Sequence, residues 1–319
     1  MKRILVTGAS GQVGSELVPA LRQRYGAQNV LATDIRHTEG PLSREGPFQV
    51  VDCTDGPGME AAVRDFGADT LYHLAAILSA VGEANPLKAY EVNLGGLANA
   101  LEAARAHGCA VFIPSSIAAF GPSTPPDPTP QDTIQRPTTM YGVTKVAGEL
   151  LADYYFLRYG LDTRGVRYPG LISYLAPPGG GTTDYAVEIF YEAIRRERYT
   201  CFLKPDTQLD MMYMPDAIRA SIAVMEADPS VLKHRNAFNI AAMQFTPEEL
   251  AEAIRRHIPG FVMEYQVDPL RQGIAESWPR RLDDSAAREE WGWSPEYDLE
   301  AMVADMLSNL RQKLAPAGV

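Results

Sequence analysis

The sequence predicts an α/β protein: a doubly wound parallel sheet followed by a second, smaller C-terminal lobe. Three observations carry this. Short apolar, often β-branched runs at residues 3–6, 30–33, 49–51, 70–73, 111–114 and 163–166 are mostly separated by helix-compatible stretches, the alternation that builds a parallel sheet covered on both faces. A glycine-rich turn, Gly8-Ala9-Ser10-Gly11-Gln12-Val13-Gly14, directly follows the first run. After about residue 170 the alternation fades, and Pro177-Pro178-Gly179-Gly180-Gly181 forces a loop.

Taken in order, Leu17, Val18 and Leu21 give the segment after the glycine turn an apolar helical face. Residues 122–137 carry Pro122, Pro125, Pro126, Pro128, Pro130 and Pro137; proline fixes φ and removes a donor, so an irregular surface loop is expected before a strong helix. A helix is expected over 184–198. Asp283-Asp284-Ser285 can cap a short helix ending at Gly292, where Trp293-Ser294-Pro295 stops it. The expected division is a nucleotide-binding domain over 1–170, rejoined by about 208–242, with 171–207 and 243–319 forming the smaller substrate-binding lobe.

Composition removes several functions. The chain has 319 residues and a net charge of −11 without a Lys/Arg-rich run, which argues against nucleic acid as a partner. Cys53, Cys109 and Cys201 are odd in number and not closely spaced, so neither a disulfide framework nor a zinc set is expected and a reducing cytoplasm fits. Gly8 breaks the first apolar run too soon for an export signal, and the most apolar stretch, 74–81, is too short for a bilayer. No membrane partner is expected. His37, His73, His107, His234 and His257 lack metal-ligand spacing, and no metal is expected.

The glycine turn sits where a strand feeds a helix, so its backbone can approach a pyrophosphate at the helix N-terminus. Asp34 lies 34 − 14 = 20 residues beyond Gly14, where a carboxylate accepts the ribose 2′-hydroxyl and repels a 2′-phosphate. NAD is therefore expected over NADP, although Arg36 stands two residues on.

With its spacing Gly8-x-x-Gly11-x-x-Gly14, the sequence resembles the extended short-chain dehydrogenase/reductase family over nearly its whole length. Further matches are Asp52-Cys53, His73-Leu74-Ala75-Ala76, Asn93, Ser115-Ser116 and Tyr141-Gly142-Val143-Thr144-Lys145. The resemblance implies a Rossmann fold holding NAD through Gly8, Gly11, Gln12, Val13, Gly14, Asp34, Ile35, Asp52, Cys53, Leu74, Ala75, Ala76, Asn93, Tyr141, Lys145 and Tyr168. It implies Ser116 and Tyr141 as the catalytic hydroxyls. Tyr141 and Lys145, four apart, share a helix face. The ammonium, together with the positive nicotinamide of the oxidised cofactor, is expected to lower the phenol pKa and make Tyr141 a general base, with Ser116 bonding the reacting oxygen and Lys145 also holding the nicotinamide ribose.

Four segments are more specific: residues 114–122, Arg167-Tyr168-Pro169-Gly170, residues 179–186 and residues 211–217. They resemble the short-chain type of L-threonine 3-dehydrogenase, which implies oxidation of the small molecule L-threonine to 2-amino-3-ketobutyrate. Backbone amides of 179–183 and Thr182 are expected to take the substrate carboxylate, with Gly181, Ser79, Ser116, Tyr141 and Trp278 as further substrate contacts. Two alternatives stand beside this. A nucleotide-sugar epimerase or dehydratase needs cations for a pyrophosphate, for which Arg195, Arg196 and Arg198 are available. A non-catalytic dinucleotide sensor needs only the glycine turn. A homodimer is expected through helices bearing Leu94, Leu97 and Leu101 or Leu150, Leu151 and Tyr154, which burial within one chain explains equally well.

Overall fold

In the computed structural model, which describes residues 1–177, 179 and 181–315, the apolar runs become strands. Pro178 and Gly180, both in the expected loop, lie outside the described residues, as do 316–319. The strands are β1 (Ile4–Thr7), β2 (Val30–Asp34), β3 (Phe48–Val50), β4 (Thr70–His73), β5 (Ala110–Phe112), β6 (Ser115–Ser116), β7 (Thr163–Arg164), β8 (Val166–Tyr168), β9 (Gly170–Ile172), β10 (Arg198–Cys201), β11 (Leu209–Tyr213), β12 (Phe238–Asn239), β13 (Met243–Phe245) and β14 (Val262–Tyr265). Six of them form a parallel sheet in the order β3-β2-β1-β4-β5-β7. The order reverses between β1 and β4, the point where such sheets open a crevice at their C-terminal ends.

Two expected strands are broken. The run over 111–114 stops at Phe112 because Pro114 has no amide for the ladder. The run over 163–166 divides at Gly165, where a Cβ would stand 2.0 Å from the Ile113 carbonyl oxygen. Beyond the break, β6 and β8 join β12 in a second parallel sheet, β12-β8-β6. Ser116 thereby gains a strand position of its own.

The helix Met140–Tyr159 begins at Thr139, whose side chain accepts from the Gly142 amide at 3.1 Å, and ends at Gly160 in the left-handed region, φ 69°. Gly142 permits its close approach to the serine turn, since a Cβ there would lie 2.2 Å from the Ala118 carbonyl oxygen. The two apolar sets separate: Leu97 and Leu101 are core residues, while Leu150 and Tyr154 are exposed and Leu157 is 81% exposed.

The C-terminal part packs around Tyr185, Phe190, Tyr213, Phe245 and Leu307. Its helix Tyr185–Arg196 is shorter than expected because Glu197 turns left-handed, φ 52°, and Arg198 opens β10. The short helix Ser285–Trp291 ends at Gly292, φ 73°. The proline-rich segment has no helix, but it is pinned more deeply than a surface loop: Thr124 and Thr129 are buried, and Thr129 bridges to Leu282. Among the described residues, no helix is long and apolar enough to cross a membrane.

Candidate active site

The crevice forms because β1 ends in a turn that has no room for side chains. Gly8 has φ 64°, and a Cβ there would lie 2.7 Å from the Ala75 amide; one on Gly14 would lie 2.5 Å from the Gly8 carbonyl oxygen. This backbone cradle opens on a cavity of about 230 Å³. Gly8, Gly11, Gln12, Val13, Gly14, Leu74 and Ala76 form one side; Ser116, Tyr141, Lys145, Tyr168, Ser79, Gly181, Thr182 and Trp278 complete it. The cradle and the helix N-terminus behind it fit a dinucleotide pyrophosphate.

Other expected cofactor residues lie outside this cavity. Asp34 closes β2, and its Oδ2 accepts from the Ser10 amide at 2.9 Å, so the acid braces the glycine turn. Ile35 is exposed, while Asp52 and Cys53 follow β3, one strand further out. The Asp52 carboxylate accepts from the Thr54 amide and hydroxyl, which hold its pKa below the usual range. Asn93, on a π-helical turn, is a bracket: it accepts from the Ile77 amide at 2.7 Å and donates to the Ile77 carbonyl and Thr144 hydroxyl. Ala75 lies at the β4 end against Gly8. The Tyr168 hydroxyl bonds Ser221, leaving its ring and backbone for the cavity.

Ser116 caps the 3₁₀ turn Ile117–Ala119 by accepting from the Ala118 amide at 3.2 Å. Lys145 donates to the Pro114 carbonyl at 2.7 Å, and its Nζ lies 5.4 Å from the Tyr141 ring centroid. The same proline that ends β5 leaves that carbonyl to the lysine. Burial pushes the Tyr141 phenol up to about 12, opposed by a hydrogen bond from Ser116. Burial also pulls the Lys145 ammonium down to about 8, opposed by Glu149. Within the protein itself, desolvation of the phenolate outweighs the Ser116 hydrogen bond and holds the phenol above its ordinary value.

Ser79 and Thr182 are buried against the cavity, and Trp278 is 9% exposed. The loop is less free than its glycines suggest. Gly181 donates its amide to Asp184 Oδ2 at 2.7 Å, so the acid at the entrance to helix Tyr185–Arg196 takes one donor expected for substrate. An acid at a helix start was the available signal. Gly179 does not line the cavity. Arg195 and Arg196 pair with Glu192 and Arg198 with Glu264, around a separate surface depression. Among the described residues, Lys145 and Asp184 are the only charged groups in the cavity wall.

One contact ties the two sides together. Glu16, in the first turn of helix Gly14–Tyr25, accepts from the Ser173 hydroxyl, whose oxygen accepts from the Leu175 and Ala176 amides at 3.1 and 3.4 Å. Burial pushes the Glu16 carboxyl up to about 7, against the hydrogen bond from Ser173 and the charge of Lys313.

A parallel sheet with its order reversed at a glycine cradle, and a Ser, Tyr and Lys facing that cradle, define a dinucleotide-dependent enzyme. Residues 4–241 match the model of the NAD dependent epimerase/dehydratase family. The chain belongs to that family, and NAD is its cofactor. It is 57% identical over 314 residues to an uncharacterised epimerase/dehydratase of Staphylococcus aureus (strain USA300), covering 98% of each chain. It is similar to the L-threonine dehydrogenase from Clostridium difficile, with a TM-score of 0.97 and 54% identity over 98% of both chains. The holo form of a GalE-like L-threonine dehydrogenase from Cupriavidus necator gives 0.94 and 51%, over 97% of this chain and 99% of that one.

Proposed function

We propose that the protein oxidises L-threonine at its hydroxyl carbon to 2-amino-3-ketobutyrate, reducing NAD. The observation that carries this reading is the convergence of Ser116, Tyr141 and Lys145 with the glycine cradle on one small cavity whose charged walls are Lys145 and Asp184. A nucleotide-sugar would bring a pyrophosphate, and Arg195, Arg196 and Arg198 are paired elsewhere. The two L-threonine dehydrogenases at 54% and 51% identity support the same choice.

In this reading Tyr141 takes the substrate hydroxyl proton while Ser116 hydrogen-bonds the same oxygen. Bound NAD would supply the acceptor for the hydride of the adjoining carbon. Lys145 holds the nicotinamide ribose, and its charge, with that of the oxidised ring, offsets the burial that raises the phenol pKa. Gly8, Gly11, Gln12, Val13 and Gly14 face the pyrophosphate, Asp34 and Ile35 the adenosine ribose, and Asp52 and Cys53 the adenine side. Leu74, Ala75 and Ala76 form the floor with Tyr168, and Asn93 acts through the loop it brackets. Thr182 and Ser79 hold the amino acid beneath Trp278, with Gly181 shaping the wall through its bond to Asp184.

The same reading divides the chain into a cofactor domain, 1–170 with about 208–242, and a substrate lobe, 171–207 with 243–319. Exposed Leu150, Tyr154 and Leu157 on one helix favour a homodimer, and three free buried cysteines suit the cytoplasm. The test is purified protein with NAD and a panel of L-threonine, L-serine, D-threonine, 3-hydroxybutyrate and UDP-sugars, followed by NADH absorbance. Turnover selective for L-threonine is expected; conversion of a UDP-sugar with L-threonine inert would overturn the assignment.

A further inference from the structure

Glu149 follows Lys145 by one helical turn, on the inward face of helix Met140–Tyr159. Both line a second cavity of about 30 Å³, together with His73, Asn93, Ser115 and Thr144. Among the described residues, Glu149 is the only acid in that wall. Its two oxygens receive four donors: the Ser115 hydroxyl, Gln135 Nε2 at 2.7 Å, and Arg167 Nε and Nη2 at 3.0 and 2.8 Å. Only a carboxylate can accept all four.

The donors come from different parts of the fold. Ser115 is on β6, Arg167 on β8 and Gln135 in the proline-rich segment, which also takes Arg167 Nη1 at the Gln131 carbonyl, 2.8 Å. Stability alone explains this poorly, because well-packed apolar residues often replace a buried ion pair at no loss. What sets the place apart is an ammonium one turn away that must stay charged while buried.

We propose that Glu149 is a positioning residue that keeps the Lys145 ammonium charged, and that Ser115, Gln135 and Arg167 hold the Glu149 carboxylate in place for this. The inference rests on the proposed role of Lys145 for its catalytic meaning, but not for its test. The groups facing Lys145 leave Glu149 alone in this task. From β4, His73 is held neutral, its pKa pulled down to about 3 by burial and by Lys145. Tyr141 on the same helix is a neutral phenol at physiological pH, and Asn93, Thr144 and the Pro114 carbonyl carry no charge. Arg167 does not line this cavity and is paired with Glu149. Asp153, one turn beyond Glu149, bonds Asn236 and has its own pKa raised by burial and by Glu149. Burial works against the Lys145 charge, and Glu149 is the group that opposes it.

The test is a direct titration of Lys145 in the full-length protein. The chain has six lysines, so ε-¹³C-lysine labelling gives a short NMR spectrum in which the Lys145 signal is the one missing from Lys145→Arg. In the wild type its midpoint is expected near 8. In Glu149→Gln it should fall by about one pH unit or more, as removal of a nearby opposite charge requires. A midpoint that is unchanged or higher overturns the inference. Should Glu149→Gln leave Arg167 unpaired and fail to fold, the double variant Glu149→Gln/Arg167→Met is compared with Arg167→Met alone, so that the loss of the arginine charge is common to both; its Lys145 midpoint should be the lower by about one pH unit or more, and an equal or higher midpoint overturns the inference. Turnover by Lys145→Met is a separate matter: wild-type activity there would remove Lys145 from the proposed chemistry without touching the titration result.

Discussion

The two sides of the cleft are built in different ways. The glycine cradle on the cofactor side is one short stretch of chain, Gly8 to Gly14, whose shape follows from backbone packing against the residues after β4. The substrate side is drawn from Ser79, Pro169 to Leu171, Gly181 to Asp184, and Trp278, segments up to 278 − 79 = 199 residues apart. A local turn is dictated by residue type. A wall assembled from distant segments depends on how the rest of the molecule packs.

This contrast is most exposed at the seam, where Tyr141 faces both sides. Tyr141→Phe should lower kcat by about 10²- to 10⁴-fold, the usual range for a lost general acid–base group. NAD affinity should stay within about twofold, because the ring remains. Steady-state rates and NAD binding by fluorescence check both, and more than a tenth of wild-type turnover would remove Tyr141 from the chemistry.

On the substrate side, Thr182→Ala should reduce kcat/KM for L-threonine by roughly ten- to a hundredfold, the loss of one hydrogen bond to a charged group. NAD affinity should not change, and Thr182→Ser should be milder. Wild-type efficiency across subsaturating threonine would put the carboxylate elsewhere. The cofactor side should answer in the opposite sense. Asp34→Ser should narrow the preference for NAD over NADP by about tenfold while leaving the KM for threonine alone. A wild-type protein that used both cofactors equally would sink that role for Asp34.

The smallest effect is expected at the contact joining the sides. Folded Glu16 keeps its proton up to about pH 7, whereas an unfolded carboxyl releases it near 4.3. Between those values the folded state binds more protons, so this residue costs stability as pH rises through the window. Glu16→Gln should therefore match the wild-type Tm near pH 4 and exceed it by a few degrees at pH 8. A gap that does not widen with pH would contradict the burial of this carboxyl.

The parallel sheet, the glycine cradle and the gathering of Ser116, Tyr141 and Lys145 at one cavity were legible because each rests on residue type at short spacing. Less visible were features that need three dimensions. Nothing local in the run 111–114 says that β6 will leave the main sheet, since the cause is joint: Pro114 lacks a donor and Gly165 sits on the Ile113 carbonyl. The Tyr141–Lys145 spacing does not report burial, which holds the phenol high in the protein without cofactor. Asn93 was read as a cofactor ligand, yet its amide is spent on Ile77 and Thr144. Glu149 did leave a trace, an acid four residues after Lys145. Its meaning depends on Arg167 and Gln135 arriving from elsewhere.

The separate sheet that carries Ser116 also sets an order of assembly during synthesis. β1 to β5 can pair once about 112 residues have emerged, so the cofactor cradle has its framework early. The serine strand cannot, because its neighbour β8 is 50 residues further along and β8 in turn is flanked by β12 at Phe238–Asn239. A nascent chain at the end of β5 could therefore have a framework for binding dinucleotide well before it has a place to hold the oxygen of its substrate.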